Sequence, residues 1–301
     1  LGYSPGGRIH HNTILYNEAL EDGGGILIGG GLGRADAWQG SGPVDITSNR
    51  IQGNASQAAG GGIRLLRTGT ARIRITNNLI ANNVAARLGG GVAQADAADV
   101  ILINNTNAQN ACTSTAAESD GKPHAAGLAV EPYSASFQAM LGPDEAHYPD
   151  PVLFNTLFSQ NIAYIPRDGM PDPIDQRDLG VVGTEGLLHP NYCMLTLPYP
   201  LEPAEPAGNN NLTGNPHFIA EYETELHVVA SERTDGTPAI IVTVERPPDP
   251  CGPPGDYRLQ ADSRAIGAGV SCFAGACAPG VDADGVHRPA GGAYDIGAYE
   301  R

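Results

Sequence analysis

Positive charge, aromatic rings and long apolar runs are what this sequence has least of. Seventeen Lys and Arg stand against 33 Asp and Glu, giving a formal net charge of −16 with no basic run. Phosphate backbones are held by clustered Lys and Arg, so nucleic acid is excluded as a partner. No stretch approaches the roughly 18 apolar residues that cross a bilayer, and no charged-then-apolar start resembles a signal peptide. The first residue is Leu1, so we expect that something upstream was removed. Helix-favouring composition is lacking too: 40 Gly and 24 Pro punctuate the 301 residues and point to a turn-rich β architecture with very little helix. At 41% hydrophobic and 17% charged residues the chain must nevertheless fold around a core.

Chemical signatures are also sparse. There is no GxSxG, HExxH, phosphate-binding loop or dinucleotide fingerprint, and no regular Thr-x-Thr ladder of the kind ice binding needs. The five cysteines, Cys112, Cys193, Cys251, Cys272 and Cys277, have no CxxC spacing and no His at ligand spacing. Disulfides fit them better than a metal. Cys272 and Cys277 are close enough to close a small loop, Cys193 meets Cys251 only if the fold brings them together, and one thiol is left over. Such usage fits an exported protein.

What is present is a repeat. The pattern apolar-x-x-Asn-x-apolar-x-x-Asn, followed six residues later by a Gly triplet, occurs three times. The copies are Ile9, Asn12, Ile14, Asn17 and Gly23; Ile46, Asn49, Ile51, Asn54 and Gly60; and Ile75, Asn78, Ile80, Asn83 and Gly89. A fourth begins at Leu102, Asn105 and Asn110 but carries Asn107 in place of the middle apolar residue, and a fifth lies around Phe154, Asn155, Phe158 and Asn161. A terminal copy is suggested at 210–218. The first Asn recurs after 37, 29 and 27 residues, so a unit is a little under thirty residues and the first gap carries a loop, filled by residues 32–43 with Trp38.

Each unit holds three short β-prone pieces, for example VDITSN, RIQGN and GGIRLL, too short and aperiodic for a helix. Three strands and three turns describe one coil of an all-β, single-stranded parallel β-helix, whose strands pair with those of the next coil at about 4.8 Å. Alternate apolar residues then stack inside, and no coil buries its face alone. Asn suits a coil corner because it tolerates the left-handed conformation and can pair with the Asn above and below. The Gly triplets supply positive φ and close backbone approach.

These residues resemble the repeats of polymorphic outer-membrane proteins and other right-handed parallel β-helix proteins, whose units carry GGA-I/L/V and F-x-x-N. Here they read GGGI or GGGV and I-x-x-N, with a literal FSQN at Phe158–Asn161. The resemblance covers residues 8–162 and implies architecture, not substrate. A second resemblance joins YRLQADSRAIGAGV and DADGVHRPAGGAYDIGAYE, from Tyr257 to Glu300, to the closing segment of secreted bacterial β-helix proteins, usually SPAIDAG, D-x-DG-x-x-RP and DIGAYE. It implies a C-terminal cap. The departures are Arg264 in place of Pro and Gly267 in place of Asp.

The expected organisation is a β-helix over 1–220 with loop insertions at 111–151 and 162–206, a β-hairpin excursion at 221–250 around Asp235-Gly236, and a cap at 251–301. Its first coil starts without an N-terminal cap, so we expect upstream sequence or another chain to cover that end.

Paired carboxylates would mark a polysaccharide-cleaving enzyme, as Ca²⁺ ligands or as an acid and base. Asp45, Asp96 and Asp99 do not recur in adjacent coils, and Arg64, Arg72 and Arg74 form at most a small basic stripe. Asp168, Asp172, Asp175 and Asp178 are a possible Ca²⁺ set, although their spacing suits a solvated acidic loop better. Asp282 and Asp284 lie in a DADG string, but the Glu expected eleven positions on is Ala293, which favours a turn. The eight His are scattered, and the sequon-like strings at Asn54, Asn104 and Asn211 fall on repeat asparagines. No cofactor other than a possible Ca²⁺ is implied. The expected function is a secreted or cell-surface, non-catalytic module for adhesion, carbohydrate contact or assembly with a protein partner. A polysaccharide lyase or glycoside hydrolase is the competing expectation, and a structural subunit of an extracellular complex or filament the third.

Overall fold

A computed structural model describes residues 5–32, 38–183, 186–200, 209–232, 238–245 and 254–301. The molecule is nearly all β, built of stacked parallel strands, and its one helix among the described residues is Ala135–Leu141. Each repeat delivers one strand to each of four sheets. Sheet 1 stacks Gly7–His10, Val44–Thr47, Ile73–Thr76, Val100–Ile103 and Val152–Phe154, and sheet 2 begins with Thr13–Leu15, Arg50–Gln52, Leu79–Ala81, Thr106–Ala108 and Leu157–Ser159. Sheet 3 takes Glu18–Ala19, Ala55–Ser56, Val84–Ala85, Ala111–Cys112 and Ile162–Arg167; sheet 4 takes Ile26–Gly29, Ile63–Gly69, Val92–Ala97, Leu128–Val130 and Leu179–Val181. The repeat therefore divides into four strands rather than three. The piece taken as one strand around RIQGN is bent at Gly53, whose φ of 68° turns the chain from sheet 2 into sheet 3.

Register is kept although the spacing between repeats varies. Ile9 pairs with Ile46, Ile46 with Ile75, Ile75 with Leu102 and Leu102 with Leu153. In sheet 2, Ile14, Ile51, Ile80, Asn107 and Phe158 follow one another, and in sheet 4 Ile26, Ile63, Val92, Leu128 and Leu179 do so. These ladders fill the interior.

The asparagines fix that register. Asn49 donates from both its backbone N and its Nδ2 to Asn78 Oδ1, at 2.9 and 3.0 Å, and its Nδ2 also reaches back 2.8 Å to the Ile9 carbonyl of the preceding repeat. Asn54 does the same with Asn83 Oδ1 and the Ile14 carbonyl. One ladder runs Asn12, Asn49, Asn78, Asn105; the other runs Asn17, Asn54, Asn83, Asn110, Asn161. In the fifth repeat the first ladder continues through Thr156, whose Oγ1 accepts from Asn105 N, not through Asn155. The second ends on Asp178, whose carboxylate accepts from Asn161 Nδ2 at 2.8 Å and from Thr196. Burial raises the Asp178 carboxyl against the lowering effect of these bonds.

The residue before each ladder Asn takes the left-handed conformation. These are His11, Ser48, Asn77, Asn104 and Asn155 at one corner and Tyr16, Gly53, Asn82, Gln109 and Gln160 at the other. Gly60 and Gly89 also have positive φ, while a Cβ on Gly62 would lie 2.6 Å from the Gly91 carbonyl, so the triplet combines a turn with closeness of stacking.

The segments read as insertions at 111–151 and 162–206 each contribute strands to the stack: Ala111–Cys112 and Leu128–Val130 in the first, Ile162–Arg167, Leu179–Val181 and Met194–Leu195 in the second. Pro and Asp around these short strands hide them in the sequence. Met170–Gln176 folds back antiparallel on Ile162–Arg167. Leu212–Thr213, within the suggested terminal copy, pairs with Met194–Leu195 in sheet 2. The excursion at 221–250 is an antiparallel pair, Leu226–Glu232 with Pro238–Val244, and the Asp235-Gly236 turn lies outside the described residues.

The C-terminal segment expected as an end cap lies instead along the flank of the stack. Arg50 donates to the Pro254 and Gly255 carbonyls, Asn77 to Val281, Asn104 to Asp295 and Gly297, and Asn155 to Val270, so the segment straps four successive repeats. The left-handed corner residues turn their amides outward, and the strap supplies the acceptors. Its Tyr257, Leu259, Ala265 and Ile296 join Phe218 over the outer face of sheet 2, on Leu79, Ala81, Ala108 and Leu157. The DxDG, RP and DIGAYE strings close on one another: buried Arg288 bonds Glu300 at 2.6 Å, Asp282 accepts from Glu300 N, and Asp295 accepts from Gly267 N and Arg301 N.

Replacing buried Asn83 by Ala strands two donors of Asn54 and the Ile51 carbonyl, and we expect a loss of about 3–5 kcal/mol in denaturant unfolding. The same change at exposed Asn12, the first rung, should cost under about 1 kcal/mol; equal losses would refute the ladder's cooperative role. Gln94 makes the opposite case. It sits in register between Leu65 and Val130, fully buried, with both amide atoms lacking a partner among the described residues. Gln94→Leu should raise stability by about 1–3 kcal/mol, and a fall would show that the amide is solvated inside.

Candidate functional site

Two outer faces of the stack are covered by the chain itself, sheet 2 by the strap and sheet 3 by the 226–244 hairpin, whose Val242 and Val244 pack on Ala55, Val84 and Ala111. Where the two coverings meet, at the corner between sheets 2 and 3, they leave a cavity of about 240 Å³. Its rim is made by the left-handed residues of three successive repeats, Asn82, Gln109 and Gln160. Its lining is mostly polar and includes the buried ladder residues Asn83 and Asn110, with Ala111, Ile162, Tyr164 and Leu226 adding apolar surface. Glu223 and Thr224 stand at the strap side.

The rim amides differ in how far they are satisfied. Asn82 accepts from Gln52 Nε2 at 2.8 Å and donates to the Tyr222 carbonyl at 2.8 Å. The Tyr257 hydroxyl lies 2.9 Å from Asn82 Oδ1 and 2.7 Å from Gln109 Oε1, which orients both amides. Gln109 Nε2 has no hydrogen-bond partner among the described residues. Gln160 Nε2 donates to Glu221 at 3.1 Å, and its Oε1 has no hydrogen-bond partner among the described residues. One amide donor and one amide acceptor are thus available in the lining. Burial raises the Tyr164 phenol above its ordinary range, so it stays a neutral donor at physiological pH.

The charged candidates are engaged elsewhere. Arg64 is 2% exposed, 2.7 Å from Glu131 and 3.5 Å from Asp22, while Arg87 lies 2.9 Å from Glu131. The expected basic stripe is therefore broken: Arg64 is sealed in this cluster, Arg72 pairs with Asp99 at 2.9 Å, and Arg74 is in register with Asp45, which also faces Arg8. Asp96 accepts from Ser134 N and fixes the start of the helix excursion.

Asp168, Asp172, Asp175 and Asp178 are not brought together as a shared site. Asp168 is at the hairpin turn, Asp172 pairs with Arg167, Asp175 with Arg177, and Asp178 ends the Asn ladder. Asp282 spends its oxygens on the backbone N–H groups of Asp284, Val286 and Glu300. Among the described residues no group of three or more His, Cys, Asp or Glu is placed to hold a metal ion. Cys272 and Cys277 are disulfide-bonded, and Cys112 and Cys193 are free and buried, their thiols pushed up to about 11 and about 12 by burial. Cys251 lies outside the described residues. Asn54 and Asn104 are buried, which closes them to modification in the folded protein. No helix among the described residues is long and apolar enough to cross a membrane.

Compared with protein-family models, with curated proteins and with solved structures, the chain matches none. The rim residues escaped the sequence reading, which weighed charged groups and ladder asparagines; their one signal is their place immediately before each second ladder Asn.

Burial alone would raise the Glu131 carboxyl, but the charge of Arg64 and the hydrogen bond and charge of Arg87 outweigh it and hold it below the usual range. A depressed carboxyl stabilises the fold above its unfolded pKa, and the gain is lost as pH falls through the folded value. Glu131→Gln leaves Arg64 buried without that counter-charge and should cost about 3–5 kcal/mol at pH 7. Urea unfolding should show the gap to wild type narrowing once pH falls below about 4; a constant gap at pH 7 and pH 3 would contradict the assignment.

Proposed function

We propose that the chain is a right-handed parallel β-helix module of a secreted or cell-surface protein, and that it contacts carbohydrate without cleaving it. Parallel strands joined by crossover connections are overwhelmingly right-handed, which supports the hand. The Cys272–Cys277 bond suits an oxidising compartment. The observation that carries the functional reading is the cavity at the corner of sheets 2 and 3, lined by amide side chains from successive repeats together with a few apolar side chains. A glycosidase needs two carboxylates flanking one bond, whereas among the described residues one carboxylate, Glu223, lines this cavity.

Affinity electrophoresis through gels containing neutral or acidic polysaccharides tests the proposal, with product release followed on the same polymers. We expect retardation in at least one gel and neither new reducing ends nor unsaturated products. Accumulating product would place the chain among polysaccharide-cleaving proteins instead, and unchanged mobility in every gel would remove the carbohydrate reading.

A further inference from the structure

We infer that the cavity selects a neutral sugar ring and rejects acidic sugars, with Gln109 and Gln160 reading its hydroxyls; this rests on the carbohydrate reading above. The chemistry of the lining carries the inference. A pyranose has a face of C–H groups and a rim of hydroxyls that both donate and accept. The cavity offers both kinds of surface, the amides of Asn82, Gln109 and Gln160 and the apolar side chains of Ala111, Ile162 and Leu226. Adjacent hydroxyls need one acceptor and one donor, and Gln160 Oε1 and Gln109 Nε2 supply them from neighbouring repeats. At about 240 Å³ the space is below the usual range of drug-sized pockets and suits a single ring.

Other ligand chemistries fit poorly. Among the described residues no Lys, Arg or His lines the cavity, Glu223 does line it, and Glu221 holds Gln160, so a uronate or a phosphate meets negative charge with no cation beside it. A divalent cation needs several oxygen anions, and one carboxylate lines the space. The Asn82 amide, held by Gln52 and Tyr222, is spent on structure and keeps the rim rigid before a ligand arrives.

The probes are methyl glucopyranoside, N-acetylglucosamine and glucuronate, followed by saturation-transfer NMR and titration calorimetry on the full chain. At least one neutral sugar should bind and glucuronate should not. Gln160→Ala, on a partly exposed side chain, should weaken neutral binding about 2–10-fold, the worth of one hydrogen bond. Glu223→Gln, at an exposed position, should raise glucuronate affinity relative to the neutral sugar. Glucuronate binding as tightly as the neutral sugars, or neutral binding unchanged in Gln160→Ala, would overturn the inference. If polysaccharides still retard the protein while no single sugar responds to these variants, the cavity assignment fails and the carbohydrate reading stands. If no polysaccharide retards it, both fall.

Discussion

Every other feature of this molecule depends on one hydrogen-bond pattern: an Asn side chain that donates to the Asn of the next repeat and to a carbonyl of the one before. Because Asn49 touches Ile9 and Asn78 at once, it ties three consecutive repeats. A strand shifted by one residue would break both bonds and turn its apolar side chain outward. The spacing between repeats can therefore vary, from 37 residues to 29 and 27, without disturbing the stack, because the ladder sets the register and the loops absorb the difference. The pattern is directional. Along the second ladder each Nδ–H points to the next Oδ1 until the Asp178 carboxylate receives the last of them.

The geometry that sets an Asn inside also sets its predecessor outside. A left-handed residue before each ladder position turns the chain, and its side chain leaves the ladder at a corner, where Asn77, Asn82, Asn104 and Asn155 are buried under the segments laid over the stack. One corner is used structurally, where Asn77, Asn104 and Asn155 hold the strap. The other is shared: Asn82 is consumed by strap and sheet, whereas Gln109 and Gln160 keep part of their hydrogen-bonding capacity. The surface chemistry thus follows from the same turn that builds the interior.

The ladder asparagines, the apolar positions between them and the Gly triplets were legible because each recurs at fixed offsets. The 272–277 disulfide and the hairpin near 226–244 were legible from local spacing. Three things were not. The fourth strand was hidden because a two-residue strand such as Ala55–Ser56 has no periodicity to read. The short strands inside 111–151 and 162–206 were masked by Pro, Asp and Ala around them. The flanking course of the C-terminal segment depends on contacts between residues about 200 apart, such as Arg50 with Pro254, which no local pattern encodes. The cavity was hidden for a related reason, since its lining joins corner residues of the repeats to Glu223, Thr224 and Leu226 of a later segment.

The strap also measures the stack. Its carbonyls meet the Arg50 guanidinium on repeat two and corner amides on repeats three, four and five, each at its own height. Adding or deleting one repeat between Arg50 and Asn155 would displace the upper anchor points by about 4.8 Å, one strand spacing, while the strap kept its length. Repeat proteins commonly gain and lose units because neighbours see only neighbours. Here a single covalent gauge laid across the repeats removes that freedom and holds the number of repeats between its anchors.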